Sequence, residues 1–305
     1  MQNMETRLSD AADRVTTALD QLLPKPQGPE GQLMSAMRYA ALGNGKRLRP
    51  FFTIEAGALF DADDNALLRT ACAIECVHTY SLVHDDLPCM DDDDLRRGQP
   101  STHKQFDEVT ALLAGDALLT FAFEILADPA THRDPQMRGL LIAGLAKAAG
   151  PSGMVAGQMI DMLGDAKDLT LPTVARMNRL KTGALICFSV EAGALIGGAD
   201  DEARQALTRF ANDVGSAFQM VDDILDVESS AAIAGKATNK DLSQGKVNYV
   251  TLLGLEQAKD RVRLLAAQAK SQSVDFWATG ADSPRYRRFC ARSSVLIWAE
   301  KAQSA

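Results

Sequence analysis

Apolar residues recur along this chain at three- and four-residue spacing. Leu67, Ala71, Ile74 and Val77 form one such row, and Leu207, Phe210, Val214, Ala217 and Val221 another. That spacing keeps one side of a 3.6-residue helix apolar, and the abundance of Ala and Leu favours helix as well. Alternating runs rich in Val, Ile and Thr are missing, so no sheet is predicted. The breaks are short and rich in Gly, Pro and Asp: Pro24 to Gly31, Gly43 to Gly45, Asp61 to Asn65, Gly98 to Pro100, Asp128 to Pro135, Gly150 to Gly153, Gly164 to Pro172 and Ser229 to Gly245. None is long enough to link two domains. The pattern predicts a single all-α domain over residues 1–305, a helical bundle of roughly ten to thirteen helices.

Two stretches depart from the general texture. Thr182 to Ala199 is apolar apart from Glu191. A membrane span needs about 20 apolar residues and would set Glu191 near its costly centre. A buried helix, or two short ones broken at Gly193 or Gly197-Gly198, is the reading, and no membrane span is expected. At the other end, periodicity fades after about Val274, and residues 276–305 carry both tryptophans and a run of arginines.

The apolar pattern is broken by carboxylates at two places. One is Asp85-Asp86-Leu87-Pro88-Cys89-Met90-Asp91, continuing through Asp92, Asp93 and Asp94; the other is Asp222-Asp223-Ile224-Leu225-Asp226. Carboxylates are rarely set in apolar segments unless paired or holding a metal. Oxygen ligands without His or Cys suit Mg²⁺, which usually also binds a substrate phosphate. Asp222 and Asp226, four apart on a helix, lie about 6 Å from each other on one face. Asp85 and Asp91 would be about 120° out of phase on a continuous helix. Pro88 cannot continue a regular helix, so the helix is expected to end or bulge there and return Asp91 toward Asp85.

Charge narrows the partners. The net charge of -8 argues against general nucleic-acid binding. Yet cations are clustered at Lys46-Arg47-Leu48-Arg49, Arg96-Arg97 and Arg179-Leu180-Lys181, as an anion-binding acidic protein requires. Five cysteines without zinc spacing fit a reducing cytosol, and Cys72 and Cys76 read as core. The first twenty residues lack the apolar region of a signal peptide, so a cytoplasmic protein is expected.

Six stretches in order, from about residue 30 to 257, resemble the trans-isoprenyl diphosphate synthases, the polyprenyl synthetase family. They are Gly45-Lys46-Arg47-Leu48-Arg49-Pro50, His78 to Pro88, Leu95-Arg96-Arg97-Gly98, Gly115 to Leu119, Lys181-Thr182-Gly183 and Gln219 to Asp226. The resemblance implies an isoprenoid synthase fold with a central active-site cavity, and a homodimer. It implies head-to-tail joining of an allylic diphosphate to isopentenyl diphosphate. About three Mg²⁺ ions, held by Asp85, Asp91 and Asp222 with Asp86, Asp223 and Asp226 beside them, would stabilise the departing diphosphate. Arg96, Lys181 and Lys246 would neutralise the same group, and the departing diphosphate would serve as the base.

Isopentenyl diphosphate would lie on Gly45, Lys46, Arg49, His78 and Arg97, through charge-assisted hydrogen bonds. His84 is read as support for Asp85, and His103 and His132 as surface. Thr182 and Gln219 match positions near the allylic cation, at a helix break that Gly183 permits. Lys236, Lys240 and Asp241 match a loop that closes over the diphosphates. Tyr80, one turn before Asp85 and expected on nearly the same face, would floor the product channel. An aromatic residue there, with the two-residue insertion in the first motif, resembles bacterial farnesyl diphosphate synthases.

Three other readings remain. A geranylgeranyl or longer-chain synthase has the same fold. A non-catalytic partner subunit generally lacks one aspartate motif, and this chain keeps both. A terpene cyclase has no need of the Lys46, Arg49 and His78 set. The ending, residues 276–305, departs from the helix and terminal arginine usual in relatives.

Overall fold

The structure, a computed structural model, describes residues 4–163, 169–234 and 247–278. It packs as two compact units. One comprises residues 1–146 with 189–199, the other 147–188 with 200–305.

The first unit opens with α1 (Met4–Leu22), α2 (Gly31–Leu42) and α3 (Leu48–Gly57), followed by a 3-10 turn at Ala58–Phe60. Then come α4 (Asp64–Asp85), β1 (Leu95–Arg96), β2 (Gln99–Pro100), α5 (Thr102–Gln105), α6 (Glu108–Ala127) and most of α7 (Pro135–Ala149). Helix α4 is the core element. Its N-cap Asp63 accepts the Ala66 N–H at 2.8 Å, satisfying one of the unpaired donors of the first turn. The predicted row Leu67, Ala71, Ile74 and Val77 is buried, packed among α3 and α6. Cys72 and Cys76 are fully buried, as expected, and burial, with Glu75 adding to it, pushes the Cys72 thiol up to about 12. Helix α6 buries Ala111, Ala114, Leu118 and Ala122 but exposes Val109, Leu112 and Leu113.

The second unit contains α8 (Met154–Leu163), α9 (Leu171–Asn178), a π-helical turn at Arg179–Gly183, the start of α10 (Ala184–Ile196), α11 (Asp201–Ala234), α12 (Tyr249–Leu253) and α13 (Leu255–Ala278). Helices α11 and α13 pack together, and the predicted row Leu207, Phe210, Val214, Ala217 and Val221 is the buried face of α11. Helix α10 is largely buried around Leu185, Ile186, Phe188 and Val190, matching the reading of that apolar stretch.

Four details differ from expectation. A small antiparallel hairpin, Leu95 opposite Pro100, exists where no strand was predicted. Arg97 and Gly98 make its turn, with φ of 54° and 80°; two consecutive left-handed residues match the twist of a tight hairpin. Strands of two residues are too short to show alternation. Helix α11 runs five residues beyond Ser229, because Ala231, Ala232 and Ala234 are good helix formers. Helix α13 likewise continues to Ala278, past the point where apolar periodicity fades. Finally, among the described residues the stretches long and apolar enough to cross a membrane by length and composition are Glu108–Ala127 and Pro135–Leu163, rather than the stretch considered from sequence.

Candidate active site

In the first unit, α4 ends at Asp85. The chain then turns under Pro88, and the Asp91 N–H donates to the Asp85 carbonyl at 2.8 Å. The break at Pro88 therefore returns Asp91 to Asp85, as its spacing required. Asp85 and Asp91 remain partly open to solvent, while Asp86 is buried. Asp85, Asp86 and Asp91 offer carboxylate oxygens, which suit a hard divalent cation, and just beyond them the ligand atoms of Asp92, Asp94 and His103 lie within 4.8 Å of one another.

Asp86 is held by Arg96, whose Nε donates at 2.9 Å and whose Nη2 also reaches it. Arg96 Nη2 bonds Asp93 as well, at 3.1 Å. Burial pushes the Asp86 carboxyl above the usual range even though Arg96 works against that; the bond to Asp86 in turn raises Arg96. Arg96 is thus committed to the aspartate motif itself. Asp94 pairs with Lys104 of α5 at 2.9 Å.

A second group in this unit is basic. Around His78 stand Arg49, Arg97, Arg47 and Arg96. Burial of the imidazole first, then these cations in that order, hold His78 well below its ordinary pKa, although its surface is not fully closed. Lys46 is exposed beside them. Gly45 lies under these guanidinium groups: a Cβ there would run into Arg97 Nη1 and sit 3.1 Å from Arg47 Nη1. The structure thus brings Gly45, Arg49, His78 and Arg97 together. A cleft of about 50 Å³, lined by Asn44, Thr79, Arg96 and Arg97 among others, opens in the same unit.

Tyr80 is 7% exposed and packs edge-on against His84, with ring centroids 5.7 Å apart. Its expected position on the Asp85 face is corrected: five residues on a helix are about 140° apart, and Tyr80 shares the face of His84, four residues on. Asp85 is still near enough to add to the effect of burial in raising the Tyr80 hydroxyl. His84 Nε2 reaches the Leu112 carbonyl at 3.0 Å, an approach possible because Gly115 on α6 has no side chain to meet that nitrogen. His103, read as surface, is in fact buried, with its Nδ1 3.1 Å from Ser101 Oγ.

In the second unit, the π-helical turn carries Lys181, Thr182 and Gly183. The helix widens there rather than breaking, a feature frequent at functional sites because it re-aims backbone and side chains. Thr182 Oγ1 donates to Gln219 Oε1 at 3.1 Å, Gln219 Nε2 donates to Asp223 Oδ1 at 3.1 Å, and the Tyr249 N–H donates to Asp223 Oδ2 at 2.9 Å. Asp223 is buried, and burial raises its carboxyl against these hydrogen bonds. Both its oxygens are taken, so it anchors Gln219. Asp222 and Asp226 are more open, on the adjoining face of α11. Lys181 Nζ is held by Asp161 at 2.6 Å. Lys236, Lys240, Asp241 and Lys246, and nearly all of the atypical ending, lie outside the described residues.

Sequence reasoning left Arg47, Glu75, Gly157 and Asp161 without roles. Glu75 and Asp161 carry a signal in hindsight, a single carboxylate inside an apolar helix. Gly157 carries none.

Comparison with known proteins agrees with the motifs. A family profile described as Polyprenyl synthetase matches residues 30–276. The chain is 45% identical over 276 residues to the farnesyl diphosphate synthase of Geobacillus stearothermophilus, covering 90% of this chain and 93% of that one. It is 44% identical over 246 residues to the chloroplastic geranylgeranyl pyrophosphate synthase of Catharanthus roseus, covering 80% and 69%. The crystal structure of an FPP/GFPP synthase from Zymomonas mobilis superposes with a TM-score of 0.82 at 43% identity, covering 94% of this chain and 97% of that one.

Proposed function

Because this chain belongs to the polyprenyl synthetase family and has its all-α isoprenoid synthase fold, we propose that it is a Mg²⁺-dependent prenyltransferase joining dimethylallyl or geranyl diphosphate to isopentenyl diphosphate, with farnesyl diphosphate as product. The turn after α4 supports this reading: the Asp91 N–H bonds the Asp85 carbonyl, so the backbones of two motif aspartates lie close where a continuous helix would carry them apart.

Asp85, Asp91 and Asp222 are the proposed Mg²⁺ ligands; when bound, the metal supplies positive charge that stabilises the departing diphosphate. Lys181, steered by Asp161, adds a cation for the allylic partner. Arg96 orients Asp86. Thr182 donates its hydroxyl hydrogen bond to Gln219, so the lone pairs of the threonine oxygen are left as a partner for allylic positive charge. Arg49, His78 and Arg97, with Lys46, hold isopentenyl diphosphate. A neutral His78 offers that anion one N–H and adds no further charge to a crowded cationic cluster. Tyr80, buried on α4, limits the product to fifteen carbons.

Two copies of the chain are proposed to associate through Val109, Leu112 and Leu113, which make an exposed apolar row at helical spacing on α6. Covering that row with a second copy accounts for the apolar face of α6 without a membrane, and a reducing cytoplasm is the proposed location. Incubation of the purified protein with dimethylallyl and labelled isopentenyl diphosphates tests the function. A fifteen-carbon alcohol after dephosphorylation, dependent on Mg²⁺, is expected. A twenty-carbon product would replace the farnesyl assignment with a geranylgeranyl one, and no elongation would overturn the enzymatic reading.

A further inference from the structure

The segment before α3 contains a buried ion pair that none of the roles above uses. Arg47 is 3% exposed and Glu75 2%. Arg47 Nη1 donates to Glu75 Oε1 at 2.6 Å, while Nη2 donates to the carbonyl oxygens of Ala41 at 2.6 Å and Gly43 at 2.9 Å. One guanidinium therefore ties three places together: the end of α2, the loop after it and the middle of α4. Arg47 also has a left-handed backbone, φ 48°, which a long side chain adopts only when its surroundings impose it. Lys46 and Arg49 flank it in sequence.

A buried ion pair is a weak source of stability, because both charges leave water. Its location suggests another purpose. Glu75 lies one turn before His78 on α4. Several guanidinium groups converge here, and like charges in a poorly solvated site repel. Burial lowers Arg97; Arg47 and Arg96 lower it further, and Glu75 is the carboxylate that opposes them. Remove that carboxylate, and Arg47 has no buried anionic partner while Arg97 Nη1 crowds the same glycine.

We propose that Glu75 is a positioning residue for isopentenyl diphosphate: acting through Arg47, it fixes the loop from Gly43 to Arg49 so that Lys46 and Arg49 are already in place when the diphosphate arrives. The proposal rests on Lys46, Arg49 and His78 being that substrate's site. Preorganisation of this kind raises affinity by removing the cost of ordering the loop on binding.

Steady-state kinetics on Glu75→Gln, Arg47→Lys and the double variant Arg47→Met with Glu75→Met tests it, with folding followed by circular dichroism. Loss of the Glu75 charge, or of the guanidinium's three-point tie in Arg47→Lys, should raise the KM for isopentenyl diphosphate by about tenfold or more, with smaller changes in the KM for dimethylallyl diphosphate and in kcat. The double variant has no uncompensated charge, so it should fold and melt near the parent, yet keep the raised KM because the three-point tie is gone. Parental KM in the double variant overturns the proposal, as do equal losses on both substrates in Glu75→Gln. If Glu75→Gln does not fold, the double variant alone decides. Arg49→Ala separates the two levels. No effect of that change on the KM for isopentenyl diphosphate refutes the site itself; a raised KM there with a normal Glu75→Gln refutes only the positioning role.

Discussion

Gly157→Ala is a one-carbon change far from either aspartate motif in sequence, and it should still cripple turnover. Gly157 lies on α8 against the π-helical turn. A Cβ built there would stand 2.6 Å from Lys181 Cα and 2.8 Å from Leu180 C, and nearer still to Lys181 N. Ordinary contact begins at 3.4 Å, so the shortfall at Lys181 Cα is 0.8 Å. The obstructing atoms are backbone, which cannot rotate aside as a side chain would. Either α8 or the turn must move by about 1 Å, at a packing cost of about 1–3 kcal/mol. The same shift would carry Lys181 and Thr182 with it and weaken the Lys181–Asp161 bond. A misplacement of about 1 Å in a positioned group costs on the order of 10²-fold in rate. The assay is kcat/KM for the allylic substrate, alongside a urea melt. Gly139→Ala on α7, where a Cβ meets nothing within 4 Å, is the control and should be neutral or slightly stabilising. A Gly157→Ala protein with parental kcat/KM would refute the claim that this close approach sets the position of Lys181.

Further expectations follow from the two units. Tyr80→Ala vacates a buried aromatic volume, and chromatography of dephosphorylated products should show a shift from fifteen carbons to twenty or more; a product still ending at fifteen would place the floor elsewhere. Arg49→Ala should chiefly raise the KM for isopentenyl diphosphate and Lys181→Ala that for the allylic partner, so equal effects on both substrates would count against separate sites. His78 has a depressed folded-state pKa, so the unfolded chain takes up its proton first. Stability is therefore full above the unfolded value of about 6.5 and falls as pH drops below it. Urea midpoints between pH 8 and 5 should show this loss, and His78→Gln should flatten it; an unchanged profile would mean His78 is not held neutral.

Much of this was legible in the chain. The rows on α4 and α11 gave the buried faces because helical periodicity is fixed by backbone geometry. Pro88 gave the turn that returns Asp91, since proline cannot continue the ladder. What stayed hidden depends on contacts distant in sequence. Nothing local marks Gly157 as lying under the Lys181 backbone. Asp161 reads as an odd carboxylate until Lys181 is seen 2.6 Å away. His103 reads as a surface residue in the sequence, whereas the structure buries it, with its Nδ1 3.1 Å from Ser101 Oγ. Five residues rotate a helix by about 140°, so Tyr80 lies with His84 rather than on the Asp85 face.

On the proposed mechanism, prenyl transfer requires each of the two aspartate motifs. Incorporation of labelled isopentenyl diphosphate by Asp85→Ala and Asp222→Ala, at saturating Mg²⁺ and both substrates, tests it most directly. Each variant should fold like the parent yet lose on the order of 10³-fold or more in turnover, because each deletes a main source of charge stabilisation for the leaving group. Near-parental turnover in either folded variant would contradict the account.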